Sequence, residues 1–331
     1  MINKFSSVAL RVWSAAIRII AGLSMSMTKS PDGHIAKRII DHGGIRRRYR
    51  LHLPSSKENG RIPLVIILHG RGANAESMIL LTRKGFNRLA ERERFIAAYP
   101  DAVEMNWNDG RSDEQSNDKA HRENIDDVGF ISRLIDDTLV NFNADPSRVY
   151  VTGISNGAIM AYRLACELSG RIAAIAPVDG NIPVMLHPEC FPAEPVSVLS
   201  INNTADPVVP YEGGEVTAKF EKVKLGRLLS VEESIEFWIK RNRCETSAEI
   251  YELPDKDPSD GSRVIVNKYA NIAEGTEVIL YTVEGGGHTW PGGLQYLPAR
   301  HIGRTCRDFD ANEVIWDFFK SHKKKIRDGN G

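Results

Sequence analysis

At 331 residues, with 42% hydrophobic and 26% charged side chains, the chain is long enough for one large core or two smaller ones and has an ordinary globular composition. Lys+Arg and Asp+Glu both number 43, so the formal net charge is zero, which argues against a general binder of nucleic acid or of an anionic membrane, since either needs a positive field. The cysteines, Cys166, Cys190, Cys244 and Cys306, form no CxxC or other ligand spacing, so no metal site is expected; their even number permits disulfides without requiring them.

Residues 1 to about 30 differ from the rest. Phe5, Val8, Ala9, Val12, Ala16, Ile19, Ile20 and Leu23 follow the rhythm of one helical face, with Lys4, Ser7, Arg11, Ser14 and Arg18 on the other. Arg11 and Arg18 interrupt the apolar core a secretory signal needs. An interfacial amphipathic helix, a true signal behind a start placed too early, and a dispensable or packed helix all remain open. We divide the chain into an N-terminal segment and linker (1–42), one main domain (43–325) and a short tail (326–331).

From Gly43 the pattern becomes that of a folded domain. Arg47 to Pro54 alternates polar and apolar residues, as a half-exposed antiparallel edge strand does. Leu64 to Leu68 is continuously apolar, the mark of a strand buried on both faces, and it stops at His69-Gly70-Arg71-Gly72. Phe95 to Tyr99 reads as a strand. The polar loop from Met105 to Arg111 follows and carries Trp107, a candidate to line a binding cleft or to anchor the loop. A helix is expected from Asp126 to Asn141, with first-turn acids acting as caps.

Val149 to Ile154 is a β-branched and aromatic run that ends in Gly153-Ile154-Ser155-Asn156-Gly157 and leads into the helical stretch Ala158 to Leu168. Strand, Gly-x-Ser-x-Gly, helix is the context of a nucleophile elbow, in which a sharp turn lifts the serine above the sheet and the glycines avoid collision with neighbouring backbone. Ser155 is therefore the candidate nucleophile. The loop after the early strand and the residue after the nucleophile supply oxyanion donors in such sites, here the backbone amides of Arg71 and Asn156, with His69 in the same loop. Losing one such donor costs about 10²–10³ in rate.

Ile172 to Val178 and Val196 to Ile201 are further strands. Asp206, on the loop after the second, stands where an acid could hold a histidine tautomer. Ser230 to Arg241 has helical periodicity, Ile250 to Leu253 and Val264 to Ala270 read as a hairpin, and Glu277 to Val283 is a last strand. That strand runs into Gly285-Gly286-Gly287-His288-Thr289-Trp290-Pro291-Gly292-Gly293, making His288 the candidate general base, with His301 its nearest rival. Asp310 to Ser321 is a closing helix. The order Ser155, Asp206, His288, each at a strand end, is that of the α/β-hydrolases and not of chymotrypsin or subtilisin. Alternating strands and helices give a mostly parallel central sheet with helices on both faces.

Leu68-His69-Gly70, Trp107-Asn108-Asp109-Gly110, Asp127-Val128-Gly129-Phe130, the Ser155 pentapeptide, Ala205-Asp206-Pro207-Val208-Val209-Pro210-Tyr211 and His288-Thr289-Trp290-Pro291-Gly292-Gly293 occur in this order. Together they resemble the polyhydroxybutyrate depolymerase and feruloyl esterase family of α/β-hydrolases, over roughly residues 43–322. The resemblance implies a secreted or periplasmic serine esterase without cofactor. It would cleave hydroxyalkanoate esters or feruloyl or acetyl esters of polysaccharides; that no nucleic acid is a partner follows from the zero net charge. It also implies that Trp290 lines the substrate cleft beside His288 and that Cys166 pairs with Cys190. Relatives often carry a clear signal peptide and a substrate-binding module; neither is evident here, so soluble oligomers and small esters are the expected substrates. A peptidase, an acyltransferase or a non-catalytic binder could be built on the same fold, and a cytoplasmic location and any oligomeric state remain open.

Overall fold

The computed structural model describes residues 34–56, 60–111, 117–218 and 223–325. The amphipathic pattern of the first 30 residues and the tail from 326 lie outside the described residues.

The strands are β1 (His34–His42), β2 (Ile45–Leu53), β3 (Ile62–Leu68), β4 (Ile96–Pro100), β5 (Ala144–Ile154), β6 (Ala174–Val178), β7 (Ser197–Asn203), β8 (Gly214–Ala218), β9 (Val223–Leu228), β10 (Glu249–Glu252), β11 (Arg263–Asn271) and β12 (Thr276–Glu284). The helices are α1 (Ala75–Leu81), α2 (Gly85–Glu93), α3 (Lys119–Arg122), α4 (Asp127–Asn141), α5 (Asn156–Glu167), α6 (Val231–Arg241), α7 (Ala299–Ile302) and α8 (Ala311–Lys320). Ten strands form one sheet in the order β1-β2-β4-β3-β5-β6-β7-β12-β11-β10, and β8 and β9 pair separately. Neighbours from β4 through β12 run parallel, whereas β1, β2, β11 and β10 flank them antiparallel.

The continuous apolar runs have the expected cause. Leu64, Ile66 and Leu68 of β3 pack with Val149 and Val151 against Phe130 and Leu134 of α4 and Met160 and Leu164 of α5. Val65 and Ile67 face the other way with Tyr150, against Met78 of α1, Phe86 of α2 and Ile315 and Phe319 of α8. Each residue step along a strand changes face, so a strand covered on both sides must be apolar at every position.

Two boundaries differ from the sequence expectation. The stretch Arg47 to Pro54 is not an edge: β2 lies between β1 and β4. The folded domain also begins before Gly43, because β1 pairs along its whole length with β2. The turn joining them is Gly43-Gly44, with φ +57 and +74. Two successive positive φ values make the tight hairpin turn that glycine permits. On β1, Ile35 and Ile39 are about half exposed while Ala36 and Ile40 pack on the core, and Arg38 bonds Asp137 of α4 at 2.9 Å. The acids opening α4 divide their work. Asp126 accepts from the Gly129 amide as a cap, but Asp127 is buried, 2.5 Å from the buried guanidinium of Arg47.

Cys166, near the end of α5, is bonded to Cys190, on the loop leading to β7; Cys244 and Cys306 are buried free thiols in separate cores. The disulfide closes a loop with a sequence separation of 24. Replacing both Cys166 and Cys190 by serine should lower unfolding free energy by about 3 kcal/mol, mainly by freeing the unfolded chain. Urea denaturation of the two proteins reads the difference, and an unchanged midpoint and slope would refute it.

Candidate active site

The C-terminal ends of β3, β5, β6, β7 and β12 lie side by side, and the loops leaving them hold the residues of interest. At the end of β5 the chain reverses into α5 through Ser155, which adopts φ +57, ψ −123. This is a strained backbone for a non-glycine residue. The turn is sharp because the neighbouring backbone leaves no room. A Cβ at Gly153 would stand 2.7 Å from the Leu68 carbonyl oxygen, and one at Gly157 would stand 2.5 Å from it. One at Gly70 would stand 3.5 Å from Ser155 Cβ, so the loop after β3 passes directly beside the serine.

Asn156 opens α5, and a helix's first amides have no partner within the helix. Its own side chain is fully buried. Asn156 Oδ1 accepts from the Trp107 amide (2.8 Å), and Nδ2 donates to the Trp107 carbonyl (3.1 Å) and to Asp109 Oδ2 (2.6 Å). Asp109 also meets His121 Nε2 at 3.0 Å and Arg111 Nε at 3.1 Å. Burial alone would raise the Asp109 carboxyl, but Arg111, His121 and Asn156 hold it below the usual carboxylate range. The Arg71 guanidinium bonds both carboxylate oxygens of Asp118, which fixes the loop that carries the Arg71 amide.

Trp290 corrects the expectation of a cleft-lining residue, Trp107 takes the second of its two open roles, that of a loop anchor, and His69 lies within the loop after β3 with no face toward substrate. All are fully buried, so none faces an open cleft. His69 Nδ1 donates to the Gly70 carbonyl (2.8 Å) and Nε2 accepts from the Ala102 amide (3.1 Å). Burial drives its pKa down to about 4, which keeps it neutral. Trp107 donates from Nε1 to the His69 carbonyl (2.9 Å) and packs against that ring, so it anchors its loop. Trp290 packs edge-on to Phe86 of α2 in the core. An aromatic beside a loop histidine is compatible with either role in sequence; only the direction of the side chain separates them.

His288 follows β12. Its loop is drawn in by glycine-on-glycine packing, since a Cβ on Gly287 would stand 2.3 Å from Gly303 Cα. The His288 amide donates to the Ile302 carbonyl, and its own carbonyl accepts from the Tyr296 hydroxyl. His288 Nδ1 lies 2.6 Å from Asp206 Oδ2, while Asp206 Oδ1 accepts from the amides of Val208 and Val209. Burial would lower the imidazole pKa, but the charge and hydrogen bond of Asp206, with Asp179, outweigh it and raise the pKa above 6.5. His301 is elsewhere, on α7, accepting from Arg300.

Sequence reasoning missed Asp179, at the end of β6. It is buried, and its Oδ2 lies 3.9 Å from His288 Nδ1. The signal existed: Asp179 ends a strand beside the elbow strand, by the same rule that selected Asp206.

The ligand-capable atoms of Asp179, Asp206 and His288 lie within 4.8 Å of one another, as do those of Asp260, Cys306 and Asp308. In both groups the chain itself supplies donors to the carboxylates: Asn203 and Thr289 to Asp179, Ser262 and the Arg307 amide to Asp260, the Lys256 amide to Asp308. Burial pushes the Cys306 thiol up to about 11. In both groups these donors tie the carboxylates to the loops around them.

Comparison with known proteins agrees with this architecture. A family model described as esterase PHB depolymerase matches residues 47–209. A putative esterase, NocK, of Nocardia uniformis subsp. tsuyamanensis is 32% identical over 303 residues, covering 87% of this chain and 83% of that protein. Feruloyl esterase B of Piromyces equi is 30% identical over 172 residues, 49% of this chain and 29% of its own length. Among solved structures, an acetyl xylan esterase from Aspergillus awamori superposes with TM-score 0.55 at 14% identity, over 87% of this chain and 100% of that one; this likeness shows the fold, that of an α/β-hydrolase.

Gly157→Ala tests the elbow packing. The added methyl must displace the Leu68 carbonyl or Ser155, and displacement by about 1 Å costs roughly 10²-fold in kcat/KM. Steady-state kinetics on a p-nitrophenyl ester would detect this, and wild-type kinetics would refute it.

Proposed function

The chain belongs to the esterase PHB depolymerase family and is a carboxylic ester hydrolase, and from that premise we propose that it works through an acyl-enzyme on Ser155, with His288 as general base and Asp206 as its orienting acid. The observation that carries this reading is the buried 2.6 Å contact of His288 Nδ1 with Asp206 Oδ2, set among the same strand ends as the strained Ser155. Oriented in this way, the imidazole holds its proton on Nδ1 and offers the Nε2 lone pair to the serine.

Ser155 Oγ attacks the ester carbonyl as its proton passes to His288. The carbonyl oxygen takes up negative charge and is held by the amides of Arg71 and Asn156. Collapse of this intermediate expels the alcohol, which takes the proton from His288. Water then attacks the acyl-enzyme with its proton passing to the same base, and the acid is released. The buried Asn156–Trp107–Asp109 network supports the oxyanion assignment, because it fixes the elbow amide before charge develops.

The substrates we propose are hydroxyalkanoate esters or the feruloyl and acetyl esters of polysaccharides. Export to an oxidising compartment is supported by the Cys166–Cys190 bond, since such bonds are rare in reducing cytosol.

An ester panel (p-nitrophenyl acetate and butyrate, methyl ferulate, hydroxybutyrate oligomers) against Ser155→Ala is the test. Loss of roughly 10⁴-fold or more in kcat with the fold intact is expected. Survival of activity would overturn the serine mechanism, and a burst of amide cleavage or alcohol transfer would favour a peptidase or acyltransferase.

The raised His288 pKa adds a second prediction. The base is active only when unprotonated, so kcat/KM should fall on the acid side with a midpoint above 6.5. A midpoint at or below that value contradicts it.

A further inference from the structure

We propose that Asp179 is a second carboxylate acting on His288: a positioning residue that braces the histidine loop and shares with Asp206 the balancing of imidazolium charge. The inference rests on the Ser155–His288–Asp206 reading and deepens it.

Asp179 departs from β6 with φ +51, a left-handed conformation uncommon for a non-glycine residue. That bend turns its carboxylate across the ends of β7 and β12. Oδ1 accepts from the Asn203 amide (3.1 Å) and from Asn203 Nδ2 (2.8 Å), and Oδ2 accepts from the Thr289 amide (3.1 Å). Thr289 is the residue after the histidine, so the carboxylate grips the backbone that carries the imidazole. Asn203 Nδ2 reaches the Thr289 carbonyl as well (3.3 Å). The bonds from Asn203 and from the Thr289 amide that end on Asp179 are all accepted by its carboxylate, and such bonds favour the anionic form.

The electrostatic consequence follows from distance. The titratable groups facing His288 are Asp206 from the loop after β7, Asp179 from the end of β6, and Tyr296, whose buried phenol stays neutral and donates to the His288 carbonyl. A single acid in hydrogen-bond contact is enough to set the tautomer. A second, 3.9 Å from the same nitrogen and 1% exposed, has a different effect: it deepens the negative potential where the proton from serine adds positive charge. Burying two acids together is costly, and burial and the Asp206 charge do push the Asp179 carboxyl upward. The cost is repaid only while His288 is charged, which is the state that follows serine attack. With Asp206 neutralised, Asp179 is the carboxylate left facing Nδ1, at 3.9 Å, and so partly stands in for it.

The experiment is the pH profile of kcat/KM on p-nitrophenyl butyrate for wild type, Asp179→Asn, Asp206→Asn and Ser155→Ala. Removing the Asp179 charge should move the acid limb down by about one pH unit, because the imidazolium loses a nearby anion. A purely structural role would alter amplitude and leave the limb in place, and an unmoved limb overturns the proposal. If Asp179→Asn fails to fold, Asp206→Asn decides: with Asp179 standing in, the loss is about 10²-fold, whereas an unaided histidine loses about 10⁴-fold, and that larger loss overturns the proposal. Ser155→Ala separates the two readings. Activity surviving in it removes the triad and this inference together; an inactive Ser155→Ala with an unmoved limb removes only the role of Asp179.

Discussion

The carbonyl oxygen of Leu68, the last residue of β3, is the constraint around which the site is built. It lies so close to the start of α5 that a methyl group fits at neither Gly153 nor Gly157. Close packing of β3, β5 and α5 forces the chain to reverse within one residue. That residue then takes a backbone conformation costing about 1–3 kcal/mol, which the surrounding packing must supply. The same closeness brings the Gly70-Arg71 loop alongside Ser155. The proposed nucleophile and the proposed oxyanion donors therefore share a cause: both are consequences of how nearly two strands and a helix approach.

Around this constraint the protein buries charge and hydrogen-bonds it within the chain. Asp109 is held by Asn156, His121 and Arg111; Asp127 by Arg47 and the Asn108 amide; Asp179 by Asn203 and Thr289. Removing one partner from such a group leaves a buried ion uncompensated, at about 3–5 kcal/mol. These clusters thus make the loops as exacting as the core. His69 belongs with them: neutral and saturated with backbone partners, it sets the path of the loop and takes no part in proton transfer.

The sequence discloses the fold and the order of its chemistry because both are written in local pattern. Leu64 to Leu68 must be buried on both faces, and a strand followed by Gly-x-Ser-x-Gly has few structural solutions. What it hides is direction and distance. Trp107 and Trp290 carry the composition of cleft aromatics and point into the core. Asp179 looks like a turn residue until the register of β6 against β7 sets it beside Asn203. The strand β1 was legible in principle from Gly43-Gly44, a pair suited to a tight hairpin, but its apolar residues are few and half exposed. Edges of sheets carry weak patterns because only one face is packed.

The position of β12 has a consequence for how the molecule comes into being. It lies between β7 and β11, and His288 follows it, 82 residues beyond the Asp206 that it contacts. A chain emerging from the ribosome displays Ser155 and its elbow long before the imidazole exists. The sheet, too, remains open along β7 until β12 docks. Non-local pairing of this kind forms late in folding, since the closing loops must be ordered before they are rewarded. The proposed site is thus completed by its final strand insertion, and a nascent polypeptide carries Ser155 before the histidine proposed to activate it.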